Sequence, residues 1–445
     1  MKRCVLSFFD DVYQRKLKEQ CFGNSAYEST LRSYRDLFLS EFENLGTIDI
    51  IGKCLLCSHC FLRVPVLPDY ELFLNDFLND IKNKRNLIES LFDEVIDIYI
   101  AAISKNRSVA TGMMKSYISK RCRYFNVSGA MTFSKPFFRA RKAGNYDGSD
   151  IHELFHVPFD KRYLIGNQRF SLTGIPLLYL AESLPLALRE IGCDIKHANV
   201  ALFLPKYSNY YHEGMYDITN PIVYNLLTIE KKMKAGCKLT YNHDLPISFN
   251  QRDIDEYLAR FILAQCFHYP VQDMYSGSFI QEYVLPQLLM DVVNENKWLG
   301  VTYQSCKQII GEKRDDFSQF VDKNICFNVP YQPSRYNEKM LADFYYATWY
   351  CGEDIKTYSE LKRKISEIKF LKDNAIKKGF NMNDYISYIV HIEMHMNKMF
   401  ETIGRDVYLK RKIYRVEMTL FYKLLEEITP ILENPEKYNV MRSNR

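Results

Sequence analysis

Three residues in the middle of this 445-residue chain stand at a spacing that could do chemistry: Arg169, Tyr179 and Glu190, in RFSLTGIPLLYLAESLPLALRE. An arginine offers a planar, doubly donating cation to phosphate or carboxylate. Tyrosine supplies an aromatic face with a hydroxyl at its edge. A glutamate supplies negative charge where positive charge develops. The same residues also admit a structural reading, in which Arg169 and Glu190 form an ion pair and Tyr179 belongs to the core. LLYL around Tyr179 reads as a buried strand, and Ser183 as the N-cap of the helix that follows. Leu184, Ala187, Leu188 and Ile191 repeat at i, i+3, i+4 and i+7, so this helix buries one side and carries Glu190 at its border. A strand–helix unit thus brings Tyr179 and Glu190 near each other.

Other candidates carry less. Cys54, Cys57 and Cys60, with His59 between them, have metal-like spacing, and Cys21 or Cys122 could add a fourth ligand. No second paired cluster accompanies them and their segment is apolar at helical spacing, so they read as buried structural thiols, and no metal is expected. His391 and His395 lie four apart on one helical face, but Glu393 points about 200° around the helix from His391, at roughly 100° per residue. The basic runs KRKISEIKFLK and YLKRKIYR allow a nucleic-acid stripe or a solvated helix face, and the acids in the same helices favour the second. Phosphate-cradling glycine motifs, the G-x-S-x-G elbow and the H-E-x-x-H zinc helix are all absent.

Composition sets the frame for these residues. With 47% hydrophobic and 25% charged residues the chain can bury real cores and is neither disordered nor fibrous. Its net charge of +5 is too weak for a DNA-wrapping protein, and nucleic acid is not an expected partner. The N-terminal apolar stretch ends at Phe9 before two aspartates, against a secretory signal, and no run reaches the ~20 apolar residues that cross a bilayer. A soluble cytoplasmic protein with reduced cysteines is expected.

The elements that must position the candidates fall into three segments. Residues 1–130 read as a helical domain, broken once at VPVLP by prolines that remove donors and restrict the preceding residue. Residues 135–332 alternate short apolar runs (LLYLA, VALFLP, PIVYNLL, LGVTY) with turns and a few helices, which reads as α+β. Residues 335–445 return to helical period, starting with NEKMLADFYYATWYCG.

The central segment resembles the RES family, named for its arginine, glutamate and serine. Arg169, Tyr179 and Glu190 match its core signature, and FFRAR, with Arg139 and Arg141, resembles its opening arginine strand. EYVLPQLLMDVV, LGVTYQSC and NICFNVPY resemble its closing segments, which makes Ser305 the family serine and Asn324 its late asparagine. The resemblance covers about 137–330. A charged insertion, GEKRDDFSQF, separates the last two segments.

The resemblance implies an ADP-ribosyltransferase-like mixed β-sheet flanked here by two helical domains. It also implies an enzyme that takes NAD+ as substrate, with no resident cofactor, and cleaves its nicotinamide–ribose bond by hydrolysis or with inorganic phosphate as co-substrate. Glu190 would be the principal catalytic residue, stabilising an oxocarbenium-like transition state. Arg169, Arg139 and Arg141 would hold the pyrophosphate, Tyr179 would stack on nicotinamide or orient the ribose, and Ser305 and Asn324 would contribute hydrogen bonds. The expected role is an intracellular toxin or antiphage defence effector, homo-oligomeric and restrained by an antitoxin, a trigger protein or its own helical domains. Transfer of ADP-ribose to a macromolecule, and an inactive helical scaffold, are the alternatives.

Overall fold

The computed structural model describes residues 5–23, 26–46, 68–122, 126–127, 136–144, 150–205, 215–219, 221–222, 251–271, 279–306, 323–329, 331–335, 337–343, 345–350 and 355–438. Helices α1 (Val5–Phe8), α2 (Asp11–Gln20), α3 (Tyr27–Glu43), α4 (Pro68–Lys82), α5 (Arg85–Ser104) and α6 (Arg107–Arg121) come first. Strands β1 (Asn126–Val127), β2 (Phe137–Lys142) and β3 (Leu177–Ala181), helix α7 (Leu184–Ile191) and strands β4 (Ala198–Pro205) and β5 (Met215–Asp217) follow. Then come α8 (Gln251–Phe267), α9 (Val284–Glu295), β6 (Gly300–Tyr303), β7 (Asn324–Asn328) and β8 (Tyr345–Tyr350). Last are α10 (Tyr358–Lys377), α11 (Asn383–Ile403), α12 (Arg405–Lys410) and α13 (Lys412–Glu433). None of the described helices is long and apolar enough to cross a membrane.

The chain forms two units that each take several stretches of sequence. One gathers Met1–Phe125, Asn167–Leu172 and Ile218–Asn296; the other gathers Asn126–Gly166, Thr173–Asp217 and Lys297–Arg445. The reason is burial. Both α8 and α9 are apolar on the sides they turn to the N-terminal helices, whereas the C-terminal helices bury theirs on the sheet.

The helical unit has an aromatic core. Phe8 and Phe38 lie 4.7 Å apart between ring centroids, and Phe9 meets Phe261 edge-on at 5.0 Å. Arg107 pairs with Asp291 at 2.8 Å and so fixes α9 on α6. Gln281 accepts from the Tyr27 backbone N–H at 3.0 Å, which joins the segment before α9 to α3.

The second unit is built on one mixed sheet of order β1-β5-β6-β7-β3-β2-β4-β8. Only β5 and β6 run parallel; the other described pairs are antiparallel. This makes the chain α+β, as expected. Alternation along the strands sends side chains to opposite faces. On one face Phe138, Ala140, Ala181 and Leu202 join apolar residues of α7, α10, α11 and α13. On the other, Phe137, Leu178, Leu180, Phe203 and Ile325 pack with Leu154 and Phe155. Gly300 is required where β6 meets β7, because a Cβ there would stand 2.0 Å from the Cys326 carbonyl oxygen.

One expectation is corrected here. YYATWY, read as the start of a helical region, is the edge strand β8, paired antiparallel with β4 from Val200↔Tyr350 to Pro205↔Tyr345. Aromatic and β-branched residues favour a pleated, half-buried surface. Their faces alternate, Ala347 and Trp349 packing on one core and Tyr350 on the other.

Candidate active site

The strand and helix around Tyr179 and Glu190 form as their sequence dictates. Ser183 has extended backbone and its hydroxyl accepts from the Leu186 N–H at 3.4 Å, capping α7. Pro185 sits in the first turn, where no donor is lost, and Gly192, at φ 60°, closes the helix in the left-handed region. Leu184, Ala187 and Leu188 are buried in the sheet unit's core and Ile191 packs against it, which leaves Glu190 half-exposed at the border. Each fully buried leucine contributes about 1.5–3 kcal/mol to holding α7 in place.

Strand register settles which side chains join Glu190. Ala181 pairs with Phe138 on one side and Asn324 on the other, so these three share a face, and Tyr179, two residues before Ala181, shares it too. Asn324 is 2% exposed and its Nδ2 donates to Glu190 Oε1 at 2.6 Å. A hydrogen bond from a buried amide holds the carboxylate in one orientation. Tyr179 is half-exposed and pairs with Cys326, whose thiol is buried and pushed far up by that burial, with a hydrogen bond to Tyr179 opposing the shift. Tyr303 pairs with Asn324, and Ser305 follows two residues later, half-exposed just past the end of β6.

Arg139 and Arg141 do not join this face. Arg139 and Arg141 alternate with Phe138 and Ala140 along β2 and therefore point to the opposite side. There Arg139 Nη1 donates to the Leu154 carbonyl at 2.9 Å and Arg141 Nη2 to that of Phe155 at 3.3 Å. Lys339 shares their field: burial lowers its pKa, Glu153 opposes this, and Arg141 and Arg139 lower it further. His156, fully buried, donates from Nδ1 to the Val157 carbonyl and accepts from the Leu341 N–H at Nε2. Burial first, then the positive charges of Lys339 and Arg139, bring its pKa down to about 4.

Arg169 belongs to the helical unit. Its Nη1 donates to the carbonyls of Phe267 at 2.8 Å and Tyr269 at 3.1 Å, and its guanidinium stands over the Tyr283 ring at 5.1 Å. These contacts tie its loop to the end of α8.

Sequence reasoning missed a carboxylate beside the site. Glu182, 8% exposed, extends the β3–β7 ladder by one step: its N–H donates to the Lys323 carbonyl, and its carboxylate accepts from the Lys323 N–H at 3.2 Å. Lys323 Nζ in turn pairs with Asp217 at 3.0 Å. The signal was present in LLYLAES, where an acid directly follows a buried strand.

The metal candidates resolve in part. Cys54, Cys57 and Cys60 lie outside the described residues, as does most of PIVYNLL. Cys21 and Cys122 are buried free thiols, and no group of three or more His, Cys, Asp or Glu among the described residues could hold a metal ion. On α11, Glu393 pairs with Lys369 at 2.8 Å while His395 pairs with buried Glu417 at 2.9 Å, so the two are turned to different partners.

The fold and site together define an α+β protein with a half-exposed, amide-held carboxylate at one end of a mixed sheet. The chain is similar to a Bacillus subtilis (strain 168) protein named "Putative toxin YopC", 26% identical over 176 residues, which cover 38% of this chain and 36% of that protein. The match therefore spans just over a third of the relative's length. No family model matches the chain, and no solved structure does.

Proposed function

We propose that the Glu190 face of the sheet cleaves the nicotinamide–ribose bond of NAD+, and that the chain acts as a toxin by consuming NAD+ inside the cell. The observation that carries this reading is the 2.6 Å bond from buried Asn324 to Glu190 beside the half-exposed ring of Tyr179. Similarity to a protein named as a toxin supports the role, and resemblance of the motif residues to the RES family supports the substrate.

The chemistry needs little more than these groups. As the C–N bond breaks, its electron pair leaves with nicotinamide, which departs neutral and requires no acid. Positive charge grows on the ribose, where a fixed carboxylate lowers the barrier. Water then bonds to the anomeric carbon and releases one proton, giving ADP-ribose; phosphate in its place gives ADP-ribose-1″-phosphate. Asn324 keeps Glu190 aimed, Tyr179 offers its face to the leaving ring, and Ser305 offers a hydroxyl at the end of β6. Arg139 and Arg141 stand on the other face and take no part in this reading.

Incubating the full chain with NAD+, with and without phosphate, and resolving the products by mass spectrometry tests it. Nicotinamide with ADP-ribose or its 1″-phosphate is expected. Nicotinamide with an ADP-ribosylated protein and little free ADP-ribose would replace the reading by transfer, and intact NAD+ with no modified product would sink it.

A further inference from the structure

Two basic runs that the catalytic reading leaves unused come together in the helical layer of the sheet unit. The first turn of α10, with Lys410 and Arg415 of the second run, lines a cavity of about 480 Å³. That volume suits a small molecule. Tyr358, Leu409 and Met418 form its apolar wall, and Lys410, Arg415 and the Ser359 hydroxyl supply its polar one. Among the described residues no carboxylate pairs with Lys410 or Arg415. Glu360, the acid of the first turn of α10, is already engaged, accepting from the Thr357 N–H at 2.7 Å and hydroxyl at 2.6 Å. Lys362 and Arg405 add positive charge at the rim, 5.5 and 5.6 Å from the centre of the Tyr358 ring.

From this arrangement we infer a second binding site, for the phosphate of a small phosphorylated organic molecule. Arg415 offers a bidentate fork, Lys410 a compact charge and Ser359 a hydroxyl, a donor set that suits a doubly charged, many-acceptor oxyanion better than a single carboxylate. The apolar wall takes the organic part of the ligand. A cavity of about 480 Å³ has room for one such molecule, whereas a nucleic-acid backbone is followed by a longer basic stripe. The site is independent of the Glu190 reading, since it is detected by binding and not by turnover.

Calorimetric titration of the full chain with ADP, inorganic pyrophosphate and adenosine tests the inference. ADP and pyrophosphate bind and adenosine binds at least about tenfold more weakly, with the anion affinities falling as salt rises. Lys410→Glu, at an exposed position, and Arg415→Gln each weaken ADP by about tenfold or more, with circular dichroism unchanged. Absence of binding by both anions overturns the site, and so does wild-type ADP affinity in Lys410→Glu. Displacement of ADP by a single-stranded oligonucleotide that binds tenfold tighter overturns the assignment to a small molecule.

Discussion

The two faces of the sheet hold their charged groups in opposite ways. On one, Glu190 stands half-exposed and accepts a hydrogen bond from the side-chain amide of buried Asn324. On the other, Arg139 and Arg141 are bonded to main-chain carbonyls over a buried, neutral imidazole. A group fixed in orientation but left open to solvent can meet a substrate. Groups whose donors satisfy the chain hold the segment 151–156 against the strand. The comparison separates candidates that one motif alignment places together.

Glu190→Gln is the sharpest test, since it removes charge while keeping shape; turnover of NAD+ should fall on the order of 10²–10³-fold, the cost of losing one transition-state electrostatic contact. Near-wild-type turnover in a folded variant would take catalysis away from this face. Asn324→Ala should lower turnover by roughly 10–100-fold, because a hydrogen bond to a charged group is worth about 1.5–3 kcal/mol. A change confined to KM would mean that Asn324 binds substrate and does not aim Glu190.

The arginine face should respond differently. Arg139→Ala together with Arg141→Ala should cost about 1–3 kcal/mol in urea unfolding by leaving carbonyls without donors, and should change turnover per folded molecule less than Asn324→Ala does. A Glu190-sized loss of turnover at unchanged stability would break the distinction between the faces.

His156 gives the most specific effect. Its folded pKa of about 4 lies below the ordinary 6.5, so between these values the unfolded chain binds the proton and the folded one does not. Stability is therefore complete above pH 6.5 and declines as pH falls toward 4, by about 1 kcal/mol per unit. Urea midpoints measured across this range should fall less steeply in His156→Gln; equal slopes would remove His156 as the cause.

Local features of this site are legible in the sequence because the interactions that form them are local. Ser183, Pro185, Gly192 and the apolar spacing of α7 define the helix around Glu190 within ten residues. Faces are another matter. Which side of the sheet Arg139 takes relative to Tyr179 follows from the Phe138↔Ala181 register, a long-range pairing that no motif encodes. The partnership of Asn324 with Glu190 likewise spans 134 residues. β8 was hidden because a run of six residues is too short to reveal its period. The helical unit takes in 218–296 because α8 and α9 bury their apolar sides there, which sequence order does not reveal.

Strand order also sets when the site can exist during synthesis. β6 and β7 lie between β5 and β3, yet they are made after all the strands from β1 to β5. Until they emerge from the ribosome, the β3–β2–β4 group and the β1–β5 pair have no bridge, and Glu190 waits 134 residues for Asn324. At 5–20 residues per second that interval is on the order of ten seconds, during which the nascent chain carries its carboxylate without the amide that aims it.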